Sequence, residues 1–220
     1  MLGVIDVGWI GAQSTMGSAA RCGLPGGLLL TSLTNPTTSV RITDPTDPPQ
    51  GGAWEEAYVG VVDDVLANNE RYAASFGGPL PMPPALRVAV LACMDARLNV
   101  YAMLGLAEGQ AHVIRNAGGV ATDDAIRSLV ISQRLLGTRE VILIHHTDCG
   151  MLTFHDDEVK EQIRADTGIR PPFSLEAFPD PDDDVRQSVA RLESSPFIPH
   201  KDAIRGFVFE VETGRLREVR

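Results

Sequence analysis

The chain has 220 residues, of which 44% are hydrophobic, enough to bury the core of one α/β domain. Nineteen Lys and Arg against 29 Asp and Glu give a formal net charge of −10, which repels phosphate backbones and anionic lipid, so we expect no nucleic-acid or membrane partner. No apolar run approaches the roughly 20 residues of a membrane span, and three cysteines, an odd number, do not make a disulfide framework. These features favour a soluble protein of the cytoplasm.

Residues 1–53 differ in composition from the rest of the chain. Gly, Ser, Thr and Pro dominate there, and residues 43–52 form a turn-rich linker. No hydrophobic periodicity indicates a helix or strand. We expect a low-complexity, mobile N-terminal extension, with Cys22 as an incidental thiol, followed by one domain over residues 54–220.

The domain is predicted to begin with an amphipathic helix. Apolar residues follow helical spacing over residues 54–75, with charged residues between them. The Pro- and Gly-rich residues 77–84 then exclude regular structure. They lead into an apolar run over residues 87–92, which has the length and character of a buried strand.

Two further strands and a crossover helix follow. Residues 111–115 form a predicted second strand that ends in a glycine pair, where the backbone can approach a neighbour closely. A capped amphipathic helix is expected over residues 122–137, and a third strand over residues 141–144. This strand, helix, strand order predicts a right-handed parallel crossover.

The C-terminal part is predicted to complete the sheet. Helices are expected over residues 156–167 and 185–194, with a loop over residues 171–184 between them. A β-hairpin over residues 206–219 would join an edge of the sheet. We therefore predict an α/β fold: one domain with a mostly parallel central sheet flanked by helices, and an N-terminal helical arm.

Polar clusters follow the first and third strands. Cys93 comes directly after one, and His146 and Cys149 follow the other. The carboxyl ends of parallel strands in an open sheet are where ligands bind. Two thiols and one imidazole are the three protein ligands of an open zinc site, which keeps one position for water.

Asp95 and Arg97 accompany the first cysteine. Two thiolates cancel the formal charge of zinc, so another charge must help to acidify a bound water. Asp95 is close enough to Cys93 in sequence to reach the fourth coordination position itself. An ion pair with Arg97 would turn it away and leave it to accept a hydrogen bond from the bound water.

Two motifs together resemble the signature of the β-class carbonic anhydrases, in particular a compact bacterial branch: Cys93-x-Asp95-x-Arg97 and His146-x-x-Cys149-Gly150. An Arg-Asn-Ala-Gly segment that begins at Arg115 is similar to the family's Arg-Asn segment, and the resemblance covers residues 54–220. The chain departs from many members in having His145 where they have Gly, and Met151 where a small residue is common.

The resemblance implies a function and a set of roles. The function is reversible hydration of CO₂ to bicarbonate and a proton by zinc-bound hydroxide, with one zinc per subunit and a homodimer or a higher homo-oligomer. Cys93, His146 and Cys149 would bind the zinc, and Asp95 with Arg97 would form the catalytic dyad. The helix from residue 54 would pack across the partner subunit. We hypothesise that CO₂ lies in an apolar pocket near Gly118 and Gly119.

Two alternatives stay open. Enzymes that resemble this family hydrolyse COS or CS₂ with the same ligands, so the substrate could be a sulfur analogue. A non-catalytic zinc-binding or thiol-sensing protein would have its site closed by Asp95 or oxidised between Cys93 and Cys149. The Asp95 and Arg97 pair argues against the second alternative, because a closed structural site needs no arginine.

Other polar residues receive plainer interpretations. His145 and His146 point to opposite faces of a continuing strand, so only one should be a ligand. The match to the family's spacing favours His146 and leaves His145 as a packed residue behind the site. Asp148 is expected to be a solvated loop carboxylate, and the acidic residues 182–184 a helix start.

Overall fold

The structure is a computed structural model that describes residues 61–220. The predicted extension, its Cys22 and the start of the predicted first helix lie outside the described residues. Contacts divide the chain into two units, Met1–Asn69 and Glu70–Arg220. The first unit is described only through residues of helix α1, Val61–Ala74, whose observed end lies one residue before that of the predicted helix.

The second unit is built on a five-stranded sheet in the order β2-β1-β3-β4-β5. The strands are β1 (Val88–Cys93), β2 (Ala111–Asn116), β3 (Glu140–His146), β4 (Ile204–Glu210) and β5 (Arg215–Val219). All neighbouring pairs are parallel except β4 and β5, which pair in antiparallel register at one edge. The predicted mostly parallel sheet and the C-terminal hairpin at its edge are confirmed.

Helices flank this sheet, as predicted. They are α2 (Val100–Leu104), α3 (Asp123–Arg134), α4 (Asp156–Thr167) and α5 (Pro181–Ser194), with 3-10 turns at Ala117–Gly119 and Gly150–Leu152. The predicted start of α5 at residue 185 was wrong, because Pro181 is compatible with the first helical turn. The Asp180 carboxylate caps the helix by accepting the backbone N–H groups of Asp182 and Asp183.

The core lies on both faces of the sheet. Every residue of β1 is buried, as expected for a strand covered on both sides. Ala89 and Leu91 pack in the cluster that includes α3 and α5, whereas Val90 and Ala92 face the opposite cluster. Among the described residues no helix is long and apolar enough to cross a lipid bilayer.

The strand order sets the position of the site. The chain leaves β1 for β2 on one side and returns to β3 on the other. Successive crossovers therefore diverge between the carboxyl ends of β1 and β3, and open sheets bind ligands at such a switch point.

Candidate metal centre

Three ligating side chains meet at this switch point. Cys93 is the last residue of β1, His146 is the last residue of β3, and Cys149 lies in the turn that follows. Their ligand atoms all lie within 4.8 Å of one another, and all three residues are buried. The structure thus brings together the three residues that the sequence singled out as ligands.

The imidazole of His146 is oriented for a cation. Its Nδ1 lies 2.8 Å from the Thr147 carbonyl oxygen, which can only accept, so Nδ1 donates the proton. The other nitrogen, Nε2, is buried and has no hydrogen-bond partner in the described part of the chain. A buried polar atom needs a partner, and a metal ion among two sulfurs and this nitrogen would supply one. This donor set fits zinc.

The two thiols are also tuned for metal binding. Their sulfurs lie 4.0 Å apart, and the hydrogen bond from Cys149 lowers the pKa of Cys93 below its ordinary value. The same hydrogen bond, with burial, raises the pKa of Cys149. Burial alone would lower the pKa of His146, but the adjacent Cys93 sulfur outweighs burial and raises it. Cys93 therefore readily becomes the thiolate that a metal binds.

Asp95 and Arg97 form a bidentate ion pair beside the cluster of Cys93, His146 and Cys149. Arg97 donates from Nε to Asp95 Oδ1 at 3.0 Å and from Nη2 to Oδ2 at 2.8 Å. These bonds lower the pKa of Asp95 to about 2, so it is ionised at neutral pH. Its Oδ2 lies 3.7 Å from His146 Nε2. The carboxylate therefore borders the cluster while it is held by the arginine.

Asp148 has a partner that the sequence did not reveal. Its side chain is 73% exposed, yet its carboxylate accepts from Arg97 Nη1 at 2.7 Å. Its carbonyl oxygen accepts from Arg97 Nη2 at 2.8 Å. The exposure agrees with the expected solvated loop carboxylate, but the turn after β3 also places residue 148 over an arginine 51 positions earlier, a contact that the sequence did not predict.

Arg115 is a second functional neighbour for which sequence reasoning gave no role. Its Nε donates to the Cys93 carbonyl at 2.9 Å, and its Nη2 donates to the Asp95 carbonyl at 2.6 Å. The signal was its place at the end of β2, where its neighbour Asn116 pairs with Cys93 in the parallel ladder. Arg115 thus holds the backbone of Cys93 and Asp95 in place.

A cavity of about 410 Å³ opens onto the cluster. Its lining combines the two cysteines of the cluster and Asp95 with mostly apolar neighbours: Cys93, Cys149, Asp95, Met94, Ala117, Gly118, Gly150, Met151, Thr153 and Phe154. Gly118 is part of this lining, whereas Gly119 is not and packs against the backbone of Cys93 and Ile144. The cavity has the composition of a small-molecule site, mostly apolar with a few convergent polar groups.

His145 supports the site from behind. It is fully buried, and its Nε2 lies 2.6 Å from an Asp184 carboxylate oxygen. Its ring stacks on Phe178, with the centroids 5.3 Å apart. It therefore has its own partners on the face opposite His146, in agreement with its interpretation as a packed residue. Asp184 lies in the acidic first turn of α5, as the prediction of a helix start required.

Comparisons with known proteins agree on one family. A family model described as carbonic anhydrase matches residues 88–171. Beta-carbonic anhydrase 1 of Mycobacterium tuberculosis is 65% identical over 159 residues, covering 72% of this chain and 98% of the relative. Carbon disulfide hydrolase of Saccharolobus solfataricus is 35% identical over 182 residues, covering 71% and 88%. The solved carbonic anhydrase of Streptococcus mutans aligns with a TM-score of 0.68 at 44% identity, covering 73% and 98%.

Proposed function

This chain belongs to the β-class carbonic anhydrase family, and from this premise we propose that it hydrates CO₂ reversibly to bicarbonate and a proton at zinc held by Cys93, His146 and Cys149. The observation that supports these ligands is the convergence of two buried sulfurs and an unpartnered imidazole nitrogen within 4.8 Å. Zinc bound by this set would act as a Lewis acid and bring the pKa of a bound water toward neutrality.

The residues around the cluster then have separate tasks. Asp95 is ionised at neutral pH, so it can accept a hydrogen bond from the attacking water and orient its lone pair toward carbon. Arg97 holds both carboxylate oxygens and prevents Asp95 from rotating. Met151 and Phe154 line an apolar wall that suits uncharged CO₂ and limits competing water. The released proton passes to solvent buffer.

Hydrolysis of a sulfur analogue is a second candidate, and the 35% identity to a carbon disulfide hydrolase supports it. We favour CO₂ because the identity to a carbonic anhydrase is much higher, at 65%. Turnover of CO₂, COS and CS₂ by one zinc-loaded preparation separates the candidates. We expect CO₂ hydration to dominate, and hydrolysis of CS₂ or COS without CO₂ hydration would reverse the assignment.

The ligand set can be tested without activity. Replacing Cys93 or Cys149 with Ser, or His146 with Ala, should each abolish stoichiometric zinc, because three protein ligands leave none to spare. Cys22→Ser removes a thiol outside the described residues and should leave the zinc content unchanged. Elemental analysis after gel filtration measures the ratio. Full zinc in any of the three ligand variants would contradict this set.

We also propose a cytoplasmic homodimer whose subunits each comprise a catalytic domain over residues 54–220 and an extension over residues 1–53. Four aliphatic side chains of α1 support association, since they are 47 to 69% exposed in the single chain: Val61, Val62, Val65 and Leu66. Reduced Cys93 and Cys149 fit a reducing compartment. Sedimentation velocity should give a dimer, and a monomer at micromolar concentration would contradict it.

A further inference from the structure

We propose that Asp148 is a positioning residue for the reaction: it anchors Arg97, so that Arg97 keeps the Asp95 carboxylate turned away from the proposed zinc ligands. This inference rests on the proposed zinc site and adds a residue that holds its dyad in place. It concerns a hydrogen-bonded anchor and requires no change in the protonation of Asp148.

Arg97 is held on two sides. One edge of its guanidinium binds Asp95 through Nε and Nη2. The other edge binds Asp148, whose carboxylate accepts from Nη1 and whose carbonyl accepts from Nη2. Because the Arg97 side chain is 47% exposed, a single partner would leave this long side chain free to swing into solvent. Two partners on opposite edges fix the plane of the fork.

The backbone of Asp148 is shaped for this contact. Its φ is +53°, in the left-handed region that few residues other than glycine adopt and that aspartate tolerates better than most. This local turn accompanies the carbonyl's contact with Arg97 Nη2. The turn also lies between His146 and Cys149, two of the three residues whose ligand atoms converge. One turn therefore arranges two ligands and the arginine anchor.

The anchor matters because Asp95 is close to the cluster. Its Oδ2 is 3.7 Å from His146 Nε2, so a modest rotation would bring a third anionic group to the two sulfurs and the imidazole. Arg97 opposes that rotation by binding both oxygens of the carboxylate. If Arg97 loses Asp148, it can turn outward and release Asp95. Asp148 thus biases the site toward the arrangement that keeps a position open for substrate water.

Three variants separate the side chain from the turn. Asp148→Gly keeps the left-handed backbone and the carbonyl acceptor but removes the carboxylate. Asp148→Asn keeps an acceptor oxygen without charge, and it serves the same comparison if glycine prevents folding. Asp124→Asn is the matched control, since Asp124 is 75% exposed and pairs with Arg127 at 2.8 Å.

The first readout does not depend on activity. In zinc-loaded protein, solvent exchange of the Arg97 Nε proton is followed by NMR, with the signal assigned by its loss in Arg97→Lys. Exposed ion pairs of this kind contribute little free energy, so we expect the exchange rate of the Arg97 Nε proton to increase about two- to fivefold in Asp148→Gly and by less in Asp148→Asn. The Asp124→Asn control should match wild type. Unchanged exchange in Asp148→Gly would overturn the proposal.

The second readout links the anchor to the reaction. We expect Asp148→Gly to lower kcat/KM for CO₂ hydration about two- to fivefold, and to have almost no further effect in an Arg97→Ala background, since the anchor acts only through Arg97. The same loss in both backgrounds would indicate a structural effect of the turn and overturn the proposal. If wild type fails to hydrate CO₂, the proposed function fails, whereas the exchange measurement still decides whether Asp148 anchors Arg97.

Discussion

Gly119 is the position at which a single methyl group should disturb the site most. Its φ is +78°, and a Cβ added there would lie 2.7 Å from the Ile144 carbonyl oxygen and 2.8 Å from the Cys93 backbone nitrogen. These atoms belong to β3 and β1, the strands that carry the ligands, so neither can move without moving the cluster. Gly137 has nearly the same φ, +77°, but no atom within 4 Å of its added Cβ.

The comparison of the two alanine variants separates strain from contact. In both, a left-handed alanine should cost about 1–2 kcal/mol of unfolding free energy. Gly119→Ala adds overpacking against backbone, worth about 1–3 kcal/mol. We therefore expect Gly119→Ala to be about 1–3 kcal/mol less stable than Gly137→Ala. Because the shift displaces the end of β1, zinc affinity should also fall, by about tenfold or more.

Urea unfolding with excess zinc, at one protein concentration for all variants, measures the stability difference. Competition with a chromogenic chelator measures the affinity. The reasoning is refuted if Gly119→Ala is as stable as Gly137→Ala and binds zinc as tightly as wild type. That result would mean that the strand ends yield freely at this point.

Three further changes test other parts of the account. Asp95→Asn should keep zinc bound but lower kcat by about 10²-fold, because an amide can donate in the wrong direction and lacks the charge; stopped-flow turnover equal to wild type would refute the role. Asp184→Ala leaves buried His145 without its partner and should lower the unfolding free energy, measured in urea, by about 3 kcal/mol. Asp184→Asn keeps an acceptor and should lower it by less, and equal losses in the two variants would contradict the pairing. Arg97 lowers the pKa of Asp95 from 3.8 to about 2, so the pair contributes its full stabilisation at pH values above the ordinary pKa and loses it as the pH falls from about 4 to about 2. The difference in unfolding free energy between wild type and Arg97→Ala should therefore shrink over that pH window. A constant difference would disprove the linkage.

Much of the fold and of the metal cluster could be predicted from local patterns. Short apolar runs that end in polar residues predicted parallel strands with their ligands at the carboxyl ends, and Cys93 and His146 are the last residues of β1 and β3. The alternation of strand faces allowed only one of His145 and His146 to be a ligand, and the resemblance to the family's motif selected His146. These signals are contained in a few consecutive residues, so no tertiary information was required.

Other features depended on contacts between distant parts of the chain. The Asp148 contact with Arg97 spans 51 positions and requires a left-handed turn, which an aspartate in the sequence does not predict. Glycines at the end of β2 suggested close approach, but the partner of Gly119 proved to be the backbone of β1 and β3. The role of Arg115 followed only from the register between β1 and β2. Sequence spacing alone does not specify which strands are neighbours.

The most direct test of the central claim is CO₂ hydration followed by stopped flow against pH, on protein whose zinc content has been measured by elemental analysis. The account predicts about one zinc per chain and a rate that rises with pH, because the reaction requires a deprotonated water. Full zinc with no hydration at any pH would contradict it. That outcome would leave Cys93, His146 and Cys149 as ligands of a site that serves another substrate or no reaction.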